Sequence, residues 1–342
     1  VTAPDIRPRV VVTQRIHSEI ADLLSTHARV IVNESSAPWP RERLLELARD
    51  ADALMVFMPD SLDDAFLAAC PRLKIVAAAL KGFDNFDVEA CTRRGIWFSI
   101  VPDLLTDATA ELALALLLGL ARNVAAGDRL IRSGEFRGWR PILYGTGLHG
   151  ATVGIIGFGP VGQALARVLK GFSCRVLYCD PNPSGAGDAT QVSIDELLAQ
   201  SQFVVPLLPL TPETFHLFNA ATLEKMKRGS FLINVARGSV VDEEAVADAL
   251  ESGQLAGYAA DTFEMEDWAR TDRPRAISPR LLRLTDRTLF TPHLGSAVDL
   301  VRLKIERAAA SSILQVLRGE RPAGAVNKLT SVPAPERRST RY

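Results

Sequence analysis

The sequence is short of three things, and each shortage excludes a class of protein. Cysteine is scarce: Cys70, Cys91, Cys174 and Cys179 form no C-x-x-C pair and have no ligand-like partner spacing. A disulfide scaffold and a structural metal site are therefore not expected, and reduced thiols point to a cytoplasmic protein with no metal. Net charge is nearly absent, with 39 basic against 40 acidic residues. No general attraction for nucleic acid or an anionic membrane follows, so any anion site must be local. Long apolar runs are missing too. The longest, LALALLLGLA at 112–121, is about half a membrane span and predicts a buried helix. The first residues do not read as a signal peptide.

What is present is alternation. A chain of 342 residues predicts two domains. In the first hundred residues, RVVVTQ (9–14), RVIVN (29–33), ALMVFM (53–58), KIVAAAL (74–80) and WFSIV (97–101) read as strands. Helical periodicity lies between them, over 17–28 and 40–51, then from a Ser61/Asp64 capping box to Cys70, then from an Asp87 cap to Gly95. Continuous apolar strands alternating with helices mean a parallel sheet covered on both faces. Thr106 to Ser133 reads as one helix of about 40 Å. After turn-rich 134–150 a second series begins: TVGIIGFG, CRVLYCD, FVVPLLPL, FLINVAR, YAADTFE and TLFTPH. A last helix, Ser296 to about Leu317, has no strand after it and is expected to return to the first lobe. The expectation is an α/β protein with two doubly wound parallel-sheet domains. One is a Rossmann domain over 104–298. The other is a discontinuous flavodoxin-like substrate domain over 1–103 and 299–330. A tail over 331–342 has no apolar face.

In GIIGFGPVG, Gly157, Gly159 and Gly162 spell G-x-G-x-x-G between a strand and a helix. That context calls for a tight turn, a close backbone approach to pyrophosphate and close helix–strand packing, with the helix N-terminus facing the phosphates. Eighteen residues after Gly162, Asp180 ends the strand CRVLYCD. A carboxylate there binds ribose hydroxyls and repels a 2′-phosphate, so NAD is expected rather than NADP.

Three later strands end in polar residues: Arg237 in NVARGSVVDE, then Asp261, Glu264 and Glu266 in DTFEMED, then His293 in TPHLGS. Ligands of an open parallel sheet lie beyond the carboxyl ends of its strands. Arg clamps an anion, His exchanges a proton near neutral pH, and a carboxylate orients the His. Each residue alone also suits an ordinary loop.

Taken in order, these motifs resemble the NAD-dependent D-2-hydroxyacid dehydrogenases over residues 9–325. The resemblance implies a cleft between the two domains and a catalytic set of Arg237, Glu266 and His293, with Glu266 selected over Glu264. It implies cofactor contacts from Gly157, Phe158, Gly159, Pro160, Val161, Gly162, Asp180, Pro181, Leu208, Pro209, Ala236 and Asp261, and a homodimer. Leu208 stands where the family commonly has a His.

The stretch LKGFDNFDV departs from the usual family pattern, which has a small residue at Lys81. With FMPD (57–60), VPDLLT, SGEF-x-GW, YGTGL, FEMEDWAR-x-DRPR and SAV-x-x-VRL-x-IER, it resembles the phosphite-oxidising branch of that family. That resemblance implies NAD-dependent oxidation of phosphite, a small anionic substrate. Lys81, Gly82 and Arg237 would grip the oxyanion and Arg302 would support it. Met58, Trp139, Tyr144 and Ser296 would line the pocket. The identity of the base stays open between His293, Arg302 and a substrate oxygen. The plainer alternative for Lys81 is a loop lysine paired locally with Asp84. The alternative functions are a D-2-hydroxyacid dehydrogenase such as a glyoxylate/hydroxypyruvate reductase, and an NAD-sensing binding protein.

Overall fold

Residues 7–182 and 187–329 are described by the structure, a computed structural model. The tail expected at 331–342 lies outside the described residues. The chain divides into two compact units, one of residues up to 104 together with those from 299, the other of 105–298.

The first unit holds β1 (Arg9–Val12), α1 (Ser18–Ser25), β2 (Arg29–Val32), α2 (Arg41–Ala48), β3 (Ala53–Val56), α3 (Asp64–Ala68), β4 (Ile75–Ala78), α4 (Val88–Arg93) and β5 (Trp97–Ser99). Its five strands are all parallel, in the order β2-β1-β3-β4-β5, the flavodoxin-like order. β3 and β4 are buried at every position, as a sheet covered on both faces requires. Leu44, Leu47, Phe66, Leu67, Ala90 and Cys91 pack into a core with this sheet. The last helix of the chain, Asp299–Leu317, packs on β3, β4 and α1. The cap of α3 differs from expectation. Asp63, not Ser61, accepts the Phe66 amide at 2.8 Å, because Leu62 is held in a bridge with Phe86 and the chain cannot coil before it.

The second unit holds α5 (Thr106–Ala121), α6 (Val124–Arg132), β6 (Thr152–Ile156), α7 (Pro160–Leu169), β7 (Arg175–Cys179), β8 (Thr190–Gln191), α8 (Ile194–Gln200), β9 (Phe203–Pro206), α9 (Ala220–Lys225), β10 (Ser230–Asn234), α10 (Glu243–Glu251), β11 (Leu255–Ala260), α11 (Pro279–Arg283) and β12 (Thr288–Phe290). Helix α12 is the Asp299–Leu317 helix of the first unit. The seven-stranded parallel sheet runs β12-β11-β10-β9-β6-β7-β8. Strand order reverses between β6 and β9, so their carboxyl ends open a crevice. The two-residue edge strand β8 was not expected from the sequence.

The single helix expected over Thr106–Ser133 is broken. α5 and α6 meet at a bend of 62°, with Asn123 in the left-handed region at φ 55°. The cause is competition for a carbonyl. Thr146 N–H donates to Ala121 O at 2.8 Å, and Gly145 lies so close that an added Cβ would sit 2.1 Å from the same oxygen. The apolar face of α5 is buried in its own unit through Ala110, Ala113, Leu116, Leu117 and Leu120. Among the described residues no single helix is long and apolar enough to cross a membrane.

Candidate active site

The crevice end of β6 is shaped by its glycines. Gly157 has φ 93° and an added Cβ would lie 2.4 Å from Leu207 O. At Gly162 it would lie 2.4 Å from Gly157 O. At Gly159, which caps α7, nothing stands within 4 Å. The turn is therefore closed on the protein side and open in front of the ten-residue helix α7, the shape a pyrophosphate needs. Pro160 and Val161 form the first turn of that helix. The Phe158 ring is buried on Tyr178, with centroids 4.0 Å apart. Phe158 N–H donates to Asp180 Oδ2 at 2.6 Å and Asn182 N–H to Asp180 Oδ1 at 2.7 Å. Asp180 thus ties the glycine turn to the end of β7. Pro181 follows it. Leu208 and Pro209 follow β9, and the Leu208 side chain closes on the Gly157 turn. These residues fit a dinucleotide.

Arg237 lies three residues past β10 and is placed by Asn234. The fully buried Asn234 side chain accepts from Ala236 N–H at 3.0 Å and donates to Arg237 O at 2.9 Å. The Arg237 Nη1 donates to Ala236 O at 3.0 Å. The next residue, Gly238, packs so tightly on the Phe263 backbone that an added Cβ would lie 1.9 Å from its carbonyl carbon. Ser239 N–H donates to Asp267 Oδ2 at 2.9 Å. The Arg-bearing turn and the short 3₁₀ turn Glu264–Glu266 are locked together.

Glu266 uses both oxygens. Oε1 accepts from Phe263 N–H at 2.9 Å. Oε2 lies 2.7 Å from His293 Nδ1. A carboxylate only accepts, so Nδ1 carries the hydrogen and Nε2 is left to meet a substrate. His293 has φ 58°, a left-handed conformation that must be held by its surroundings. Asp261 holds it: its side chain accepts from Thr291 Oγ1 and Leu294 N–H at 2.6 Å and from Gly295 N–H at 2.9 Å, while its carbonyl accepts His293 N–H. Asp261 is 1% exposed, and burial pushes its carboxyl above the usual range against the pull of these donors. The residue expected on the cofactor is thus also the anchor of the histidine loop. Glu264 is turned elsewhere, to His216. Ser296 is half-buried just past the same loop.

In the first unit, Lys81 lies beyond β4 and its ammonium pairs with Asp103, not with Asp84 as the local alternative had it. Its turn, with Gly82, is pinned by Phe83 and Phe86 against Phe98 and by Asn85 Nδ2, which donates to Met58 O at 3.0 Å. Arg302 on α12 lies over the Phe57 ring at 5.5 Å. Trp139 and Tyr144, expected to shape a pocket, are 83% and 78% exposed. Asn234, Gly238 and Asp267 were not foreseen. Only Gly238, directly after an Arg at a strand end, carried a readable signal.

Residues 114–295 match the family described as D-isomer specific 2-hydroxyacid dehydrogenase, NAD binding domain. The chain is 39% identical over 332 residues to the glyoxylate reductase of Pyrococcus furiosus, covering 94% of this chain and 96% of that protein. It resembles the crystal structure of a glyoxylate reductase from Paecilomyes thermophila at 27% identity and TM-score 0.81, covering 94% and 98% of the two chains. It resembles equally an NADPH-dependent glyoxylate/hydroxypyruvate reductase of Sinorhizobium meliloti, at 27% identity, TM-score 0.81, and 94% and 97% coverage. These relatives overturn the expectation of phosphite oxidation, since proteins matched end to end are named for glyoxylate and hydroxypyruvate. An unusual lysine held by a neighbouring aspartate is no ground for a separate substrate. The chain belongs to the D-isomer specific 2-hydroxyacid dehydrogenase family and is an oxidoreductase with that family's NAD-binding domain.

Proposed function

We propose that the protein is an NADH-dependent reductase of small 2-oxo acids, glyoxylate and hydroxypyruvate first. The observation that carries this reading is the 2.7 Å bond between His293 Nδ1 and Glu266, which leaves Nε2 as a proton donor. The nicotinamide, when bound, supplies the hydride that reaches the carbonyl carbon. The Nε2 proton of His293 goes to the carbonyl oxygen as the carbon–oxygen double bond becomes single, giving the 2-hydroxy acid. Glu266 stabilises the charged imidazolium on which the cycle begins and keeps its orientation. Arg237 offers two parallel N–H donors to the substrate carboxylate. The carboxylate of Asp180 favours NAD over a 2′-phosphorylated nucleotide by repulsion. Purified protein mixed with NADH and glyoxylate should consume NADH in step with glycolate formation. NADH binding without turnover of either oxo acid would sink the proposal.

A homodimer is part of the same reading. α6 buries no residue in its own chain, and Val124, Ile131, Phe136, Trp139 and Tyr144 present a large exposed apolar surface. Since α5 is used internally, a second copy would cover α6 and the segment after it. Light scattering at micromolar concentration tests this, and a monomer would contradict it. The four cysteines are free thiols, which suits a reducing compartment such as the cytoplasm.

A further inference from the structure

Glu264 stands two residues before Glu266 and points away from His293, into a buried polar knot that the chemistry above does not use. It exchanges hydrogen bonds with Glu243, the first residue of α10. Glu243 N–H donates to Glu264 Oε1 at 3.0 Å, and Glu264 N–H donates to Glu243 Oε1 at 3.0 Å. The two carboxylates therefore hold each other's backbones in a closed ring. Glu243 Oε2 accepts from Ser278 N–H at 3.0 Å. Glu264 Oε2 meets His216 Nε2 at 2.9 Å. The His216 ring is stacked on Phe215 at 3.9 Å, and Arg270 lies over that same Phe215 ring at 3.8 Å.

Glu243 and Glu264 are 4% and 9% exposed. Two buried carboxylates side by side are costly unless each one's oxygens are satisfied. A core built only for stability has cheaper solutions. What this arrangement does is clamp one end of a three-residue 3₁₀ turn, Glu264–Glu266, whose other end is Glu266. A single 3₁₀ turn has too few internal bonds to hold its own shape, while Glu266 must meet His293 at one distance.

We propose that Glu264, fixed by its exchange with Glu243 and by His216, is a positioning residue that sets the place of Glu266 and through it the tautomer and orientation of His293. This rests on the proposed function for its consequence in catalysis, but the placement can be read without turnover. The chain has only five histidines, so single imidazoles are assignable by substitution in protein labelled with nitrogen-15 at histidine. The nitrogen shifts of neutral His293 report which nitrogen carries hydrogen. Wild type should be almost wholly the Nδ1–H form. Glu266→Ala should move the signals toward the Nε2–H form that free neutral imidazole favours. Glu264→Ala should move them part of the way. Glu264→Gln, which keeps an acceptor for Glu243 N–H and a partner for His216, should stay with wild type.

In kinetics with glyoxylate, Glu264→Ala should lower kcat roughly ten-fold with KM within about two-fold, and Glu264→Gln should restore most of it. The proposal is overturned if Glu264→Ala leaves the His293 signals where wild type has them. It is equally overturned if Glu266→Ala does not move them, or if Gln and Ala at 264 move them alike, since lost charge rather than lost placement would then be the cause. If Glu264→Ala does not fold, His216→Ala takes its place, with a smaller shift in the same direction expected and an unchanged spectrum counting against the proposal. Absence of glyoxylate turnover in wild type defeats the functional reading alone; the spectra still decide the placement.

Discussion

His293 Nδ1 and Glu266 Oε2 stand 2.7 Å apart, although 27 residues separate them in sequence. The pairing fixes which imidazole nitrogen faces outward. Replacing Glu266 with Gln keeps the shape and removes the charge that stabilises imidazolium. We expect kcat for glyoxylate to fall about 10- to 100-fold, and about 10²- to 10⁴-fold in His293→Ala. Neither residue is assigned to the substrate carboxylate, so KM should change little. Steady-state kinetics check this, and a Glu266→Gln enzyme at wild-type kcat would refute the assignment.

The Arg237 turn is held by the Asn234 side chain as well as by Arg237 Nη1 on Ala236 O, so melting curves of each variant accompany its kinetics. Arg237→Ala should lose a charge-assisted contact of about 2–3 kcal/mol, roughly 30- to 150-fold in kcat/KM. Arg237→Lys keeps the charge but breaks the fork, and should fall between wild type and Ala. Equal effects of Lys and Ala would mean that geometry, not charge, carries the binding.

Asp180 has two jobs that can be separated. Its carboxylate accepts the Phe158 amide and is proposed to discriminate against a 2′-phosphate. Asp180→Ala with Pro181→Arg should raise the kcat/KM ratio of NADPH to NADH by about ten-fold or more, as repulsion is replaced by attraction. Asp180→Asn keeps an acceptor for Phe158, so it should melt closer to wild type than Asp180→Ala does. A wild type that already prefers NADPH would show that Asp180 is only structural.

Asp60 is a buried acid whose Oδ2 accepts from Thr13 Oγ1 and, at 2.8 Å, from Phe57 N–H. Burial outweighs these donors and raises its carboxyl to about 6. The folded protein therefore holds this proton more tightly than the unfolded chain does. The corresponding stability is present at low pH and is lost as pH rises from about 4 through about 6. Asp60→Asn does not titrate and keeps an acceptor. It should be more stable than wild type above about pH 6, by an amount of order 1–3 kcal/mol, with the advantage vanishing toward about pH 4. Denaturant melts across this range test the sign. A variant destabilised equally at all pH values would contradict it.

The alternation of apolar strands with helices determined both parallel sheets, because a buried strand needs no partner information to be read as buried. Gly157 and Gly162 were legible for the same reason: each answers a local backbone requirement. Glu266 was separated from Glu264 by the family resemblance, and the structure joins it to His293. Other features lay beyond the sequence. The break at Asn123 exists because Thr146 takes the Ala121 carbonyl, a contact across 25 residues that no helical propensity reveals. Lys81 met Asp103 rather than Asp84 because the turn is pinned by Phe83 and Phe86 on Phe98, and only folding brings those rings together. Asp261 and Glu264 look alike as acids beyond one strand. Tertiary structure turned the first to the histidine loop and the second to Glu243, since a buried carboxylate must go where amide hydrogens await it.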